Sequence, residues 1–258
     1  MERSFLAALF LALTLGRAAL AEQIAVKHVQ RPMHRSMTTR SIDGKVLASG
    51  EFTQAMQGDE VTMEMLYRFI DGSIDDETTT YKQQGTFCLV RNHHVQTGPF
   101  FAKQVDLAVD ARTGVATSRT ADKNGKVDVL TKHMDLPNDL TNGFIGTLLL
   151  NVPPNAAPFR VGMLVPVGGA RLIRLLISSD GERTFQMGGQ TGKAAVFRIH
   201  PELGGMVGMI AQWIGLQPKD VMVWVREGEE PAVVRIVGQM GGYGPVVSSE
   251  LQGASFGR

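Results

Sequence analysis

The feature that most constrains this chain is a two-residue alternation of apolar and polar side chains, punctuated by Asp-Gly and Asn-Gly pairs. It is clearest from Val61 to Phe69. There Val61, Met63, Met65, Tyr67 and Phe69 share one face and Thr62, Glu64 and Arg68 the other, with Leu66 the exception. Successive side chains on a strand point to opposite faces, so this order describes a strand with one buried side. Asp71-Gly72 follows directly. Such a pair takes the positive φ angles of a tight hairpin without strain, which predicts that Ile74–Lys82 returns antiparallel. Asp43-Gly44 ahead of Val46, Asn124-Gly125, and Asp180-Gly181 between Arg171–Ser178 and Arg183–Met187 repeat the device. Further strands are expected over Thr86–Arg91, Val105–Asp110, Val115–Arg119, Ala194–Ile199, Val221–Arg226 and Ala232–Val237. In Val221–Arg226 the three valines oppose Met222, Trp224 and Arg226, so both faces carry apolar bulk and both should be covered.

Two stretches depart from this period. From Pro137 to Val152, Leu140, Phe144, Ile145, Leu148 and Leu149 recur at helical spacing, Asn138 or Asp139 supplies a cap, and Pro153-Pro154 a stop. From Pro201 to Leu216, apolar residues cover nearly the whole surface of a helix, interrupted by Gly204, Gly205 and Gly208. The expected fold is therefore mainly β (α+β), a curved antiparallel sheet or unclosed β-barrel with two apolar helices covering the concave side.

The first residues predict export. Met1–Ser4 carries one Arg, Phe5–Gly16 is an almost unbroken apolar run, and Ala19-Leu20-Ala21 fits the small-x-small site of signal peptidase. Residues 1–21 read as a signal peptide, 22–45 as an extended lead-in, 46–240 as one sheet-rich domain and 241–258 as a mobile tail. The apolar run is about half the ~20 residues that span a bilayer, so a periplasmic or secreted chain without a transmembrane segment is expected after cleavage. The formal charge of +1 equals the sum over Glu2, Arg3 and Arg17, leaving the rest near neutral. Such a balance argues against nucleic acid and against strong attraction to anionic lipid, while peripheral membrane contact stays compatible. The single cysteine, Cys88, forms no internal disulfide and reads as a small buried apolar residue.

Catalytic and metal motifs fail on their geometry. Gly253-Ala254-Ser255-Phe256-Gly257 has the letters of a nucleophile elbow but no helix after it. Gly192-Lys193 lacks the first glycine and the hydroxyl of a phosphate loop. His93 and His94 are adjacent, and in a strand they point to opposite faces and cannot chelate one ion. Asp75-Asp76-Glu77 reads as a charged, solvated edge strand. An acid–base site would have to draw on Asp71, Asp75, Asp76, His93 and His94. No catalytic residue, metal ligand or cofactor is assigned, and no enzymatic role is expected.

The apolar excess carries the functional expectation. Met63, Met65, Phe144, Leu148, Met206, Met209 and Trp213 are candidate walls of a groove for a hydrophobic ligand, because methionine adapts to variable apolar shapes. The order of segments adds a comparison. A strand meander is followed by Leu136-Pro137-Asn138-Asp139-Leu140, then by returning strands, Val223-Trp224-Val225 and Pro231–Ile236. Over residues 45–240 this resembles exported bacterial proteins of unknown function, akin to the periplasmic lipoprotein carriers whose unclosed β-barrel holds acyl chains. The resemblance implies a binding or carrier protein for a hydrophobic small molecule or lipid. The alternatives are a cell-envelope assembly protein acting through an apolar surface, and a hydrolase built on the Asp75/His93 region.

Overall fold

A computed structural model describes residues 23–101, 103–121, 126–167, 169–204, 218–240 and 244–256. Its strands, in chain order, are β1 (Met33–Ser41), β2 (Val46–Gln57), β3 (Glu60–Phe69), β4 (Ile74–Gln84), β5 (Thr86–Thr97), β6 (Val105–Asp110), β7 (Val115–Ala121) and β8 (Val127–His133). After the short helix α1 (Ile145–Leu149) come β9 (Phe159–Val165), β10 (Arg171–Met187), β11 (Gln190–Glu202), β12 (Val221–Arg226), β13 (Ala232–Gln239), β14 (Val246–Leu251) and β15 (Ala254–Ser255). All join one antiparallel sheet in the order β15-β10-β11-β12-β13-β14-β1-β2-β3-β4-β5-β6-β7-β8, with β9 on the same edge of β10 as β15, against its first half. Met33–Ser41 of the lead-in and Val246–Leu251 of the tail are thus part of the sheet. β1 and β14 pair with each other, Met37 opposite Leu251 and Thr39 opposite Ser249, and this ladder joins the two halves of the chain.

The hairpin signals are used in two ways. Gly72 has φ +87° in the β3–β4 turn, where Asp71 Oδ1 accepts the Ser73 N–H at 2.9 Å. Asp180-Gly181 makes no turn. β10 runs through it as one strand, and its pairing with β11 shifts between Ser179 and Glu182, so Gly181 (φ +84°) serves a bulge. The turn lies instead at Gly188-Gly189, φ +57° and +79°. Asn124-Gly125 falls outside the described residues.

The sheet curls without closing. β8 pairs only with β7 among the described residues. It approaches the far side of the sheet at one place, where Lys132 Nζ donates to the Ala170 carbonyl at 3.0 Å. The edge of β9 is covered differently. Thr141 N donates to Gly162 O at 2.9 Å, Gly162 N to Asp139 O at 3.0 Å, and the Asn142 side chain bonds both N and O of Leu164, at 2.9 and 2.8 Å. An unpaired edge is a liability, and this segment blunts it.

The two expected helices are not what covers the concave side. Among the described residues the only helix is α1, five residues long. Of the first stretch, Asp139–Asn142 is spent on pairing with β9, and Gly143 at φ +75° breaks the helical path before α1 starts. Asp139 is an ion-pair partner of Arg174 at 2.6 Å rather than a cap. The helical spacing of Leu140, Phe144, Leu148 and Leu149 reflects burial on all sides, at 0–4% exposure. Of the second stretch, Pro201-Glu202 ends β11 and residues 205–217 lie outside the described residues.

A β structure of this width cannot fill itself with strand side chains, since about eight strands already exhaust their reach. The 136–152 segment therefore acts as a plug. Phe144 stacks on Tyr81 with ring centroids 4.9 Å apart, and around them pack Val61, Met63, Phe87, Leu148 and Val161. The N-terminal segment seals this end: Val26 N donates to Gly85 O at 2.9 Å, and Asn151 Oδ1 accepts from Lys27 N and His28 N. On the outer surface Trp224, Phe256 and Phe185 form a cluster with Arg235 over the rings, covering the second face of β12 as expected.

Candidate functional site

Towards the Asp71-Gly72 turn the interior changes character. On β4 and β5 three cross-strand pairs face inward in succession: Thr79 opposite Asn92, Glu77 opposite His94 and Asp75 opposite Gln96. They reach the inside because of a bulge. Leu89 pairs with Tyr81 but Arg91 pairs with Thr80, so Val90 is an extra residue in β5. Phe87 and Leu89 line the core before it, and Asn92, His94 and Gln96 point inward after it. Asp75-Asp76-Glu77 is accordingly not a solvated edge: β4 lies between β3 and β5, Asp75 is buried, Glu77 half-buried, and only Asp76 faces solvent.

These groups form two adjacent hydrogen-bonded sets. His94 Nε2 lies 2.8 Å from Asp75 Oδ1, and Gln96 Nε2 donates to Asp75 Oδ2 at 2.9 Å. Asn92 Nδ2 donates to Glu77 Oε1 and to Thr79 Oγ1, both at 2.9 Å. Burial alone would pull the His94 imidazole down. Glu77 and Asp75, with a smaller contribution from Asp76, outweigh it and push its pKa up to about 9. Burial raises the Tyr67 phenol well above its usual range. His93 lies on the opposite face, half exposed, 3.0 Å from Asp106.

Beside the network lies a cavity of about 190 Å³. Met65, Val221, Ile236, Met240 and Val247 provide its apolar wall. Tyr67, Asp75, Glu77, His94, Gln96 and Ser249 provide the polar one. Tyr67 is placed by Gly50, its cross-strand neighbour, where a Cβ would sit 2.5 Å from the ring. The volume exceeds the ~150 Å³ that admits benzene and falls below the ~300 Å³ of drug-sized sites. It suits a small molecule or the end of a larger one.

Of the residues expected to form a groove, Met65 lines this cavity. Met63, Phe144 and Leu148 are packed in the plug, at 3%, 1% and 4% exposure. Met206, Met209 and Trp213 lie outside the described residues. Sequence reasoning missed Tyr67, Gln96, Ile236, Val247 and Ser249 as wall residues. The available signal was polar residues at alternate positions in Asn92-His93-His94-Val95-Gln96, within a strand too deep in the meander to be an edge. Cys88 is partly exposed rather than buried.

Among the described residues no helix is long and apolar enough to cross a membrane, a statement about helices alone. No family model and no curated protein matches the chain. Among solved structures it is similar to a crystal structure described as a beta-barrel-like protein of domain of unknown function DUF1849 from Brucella abortus. The two are 10% identical, the likeness covers 90% of this chain and 100% of that one, and the TM-score is 0.48.

Proposed function

We propose that this is an exported, non-catalytic binding protein that holds a small amphiphile, or the head end of a lipid-like one, in the hollow part of its barrel. The observation that carries this reading is the cavity itself, with Met65, Val221 and Ile236 on one side and the Asp75–His94–Gln96 network on the other. A ligand there would bury its carbon skeleton for roughly 0.8 kcal/mol per CH₂ and present its polar end to oriented side chains. Export is supported by the Phe5–Ala21 pattern, which lies outside the described residues.

Binding is favoured over base catalysis by the state of His94. An imidazole with a pKa of about 9 is protonated at neutral pH and has no lone pair to act as a base. Ser249 is engaged with Thr39, 2.8 Å between hydroxyls. The test is an NMR titration of the purified protein with short-chain amphiphiles. Shifts confined to the cavity wall, and abolished by Ile236→Trp, are expected. If no neutral, cationic or anionic amphiphile perturbs these residues, the reading fails.

The assembly alternative rests on a different observation. The edge strand β8, which pairs only with β7 among the described residues, exposes Val127, Val129 and Leu130 by about half or more of their surface, which favours a partner that adds a strand. A loss of crosslinked partner on Val129→Lys, with ligand binding intact, would separate the two roles.

A further inference from the structure

The hollow is short of hydrogen-bond donors. Asp75 receives His94 on one oxygen and Gln96 Nε2 on the other. A carboxylate only accepts, so it fixes the Gln96 amide with nitrogen towards Asp75 and oxygen away. That oxygen, Oε1, is buried with no donor among the described residues, on a side chain 2% exposed that lines the cavity. Glu77 repeats the arrangement one pair further in. It holds Asn92 by its nitrogen, and Asn92 Oδ1 is likewise buried without a donor. Leaving such an acceptor unpaired in the interior is unfavourable. No lysine or arginine among the described residues lines the cavity, and its one basic side chain, His94, faces two carboxylates, Asp75 and Glu77.

Resting on the binding reading above, we infer that the hollow is built for a cationic, donor-bearing head group of the ammonium or guanidinium type, with Glu77 as counter-ion and Gln96 Oε1 as acceptor. Such a head supplies both the missing donors and the missing positive charge. A carboxylate head supplies neither and adds a third like charge to two carboxylates that share one imidazolium. A hydroxyl head supplies one donor and no charge. The carbon skeleton then lies on Met65 and Ile236, on the opposite wall.

The experiment compares hexylammonium, hexanol and hexanoate by calorimetric titration of the full chain. Hexylammonium is expected to bind at least about tenfold more tightly than hexanol, roughly 1.4 kcal/mol, with hexanoate the weakest. Glu77→Gln keeps the shape and the Asn92 contact. It should remove most of the preference for hexylammonium over hexanol. Hexanol or hexanoate binding as tightly as hexylammonium overturns the head-group assignment while leaving the hollow a binding site. A folded Glu77→Gln protein that keeps the full preference overturns it as well. If none of the three binds, the assignment falls together with the binding reading. Should Glu77→Gln not fold, the wild-type series decides alone.

Discussion

At the plugged end of the barrel, Phe144 lies against Tyr81 and the chain folds back into its own interior. At the other end, Tyr67, Asp75 and Gln96 surround about 190 Å³ that side chains leave open. The same sheet bounds both. What differs is the filling. Where the 136–152 segment enters, Phe144, Leu148 and Leu149 are packed in the core and stability is gained. From Gly143, which lies against Thr79 and Asn92, towards the hollow, the inward residues are polar and bond to one another, which keeps a hollow from collapsing. A protein interior packed to ordinary density has few voids larger than a water molecule, so an open volume lined by an ordered network marks the part of the fold given over to something other than stability.

This contrast is open to breakage. Phe144→Ala should have the largest effect, a loss of about 3–5 kcal/mol in denaturant unfolding. A loss below about 1 kcal/mol would mean that the plug is not what holds the barrel. Asn142→Ala comes next. It leaves the N–H and C=O of Leu164 without their side-chain partner, and unfolding should become easier by about 2–4 kcal/mol.

At the hollow end the expected signature is pH dependence. The native state holds the His94 proton more tightly than the unfolded chain does. The stability that this proton contributes is therefore complete below about pH 6.5 and is lost as pH rises through about 9. Thermal melting across that window should show the decline, and His94→Gln should flatten it. An unchanged slope in that variant would place the titration elsewhere. Ile236→Phe should be the mildest, within about 1 kcal/mol of wild type, because the added ring has room. It should nevertheless block uptake of amphiphiles. A large destabilisation there would show that the cavity wall is packed as tightly as the plug.

How much of this was legible beforehand differs between elements. β3, β6 and β12 could be placed because their inner faces alternate cleanly, and the Asp71-Gly72 turn because positive φ favours glycine. β1 and β14 were obscured. Met37, Thr39 and Ser249 on their inner faces give no apolar stripe, and the partners they need are more than two hundred positions apart in sequence. The helical period of 137–152 misled for a physical reason: a segment buried on every side shows apolar residues at any spacing, so periodicity no longer reports conformation. Asp180-Gly181 misled because positive φ serves a bulge as well as a turn.

Local order along the chain determined that this protein is a meander of antiparallel strands, since each strand's period and each glycine's φ depend on neighbouring residues alone. The interior network was decided only in three dimensions. One extra residue at Val90 exchanges the faces of β5 and turns Asn92, His94 and Gln96 inward, where Arg91, His93 and Val95 would otherwise have gone. That choice follows from cross-strand register, a property of two strands together.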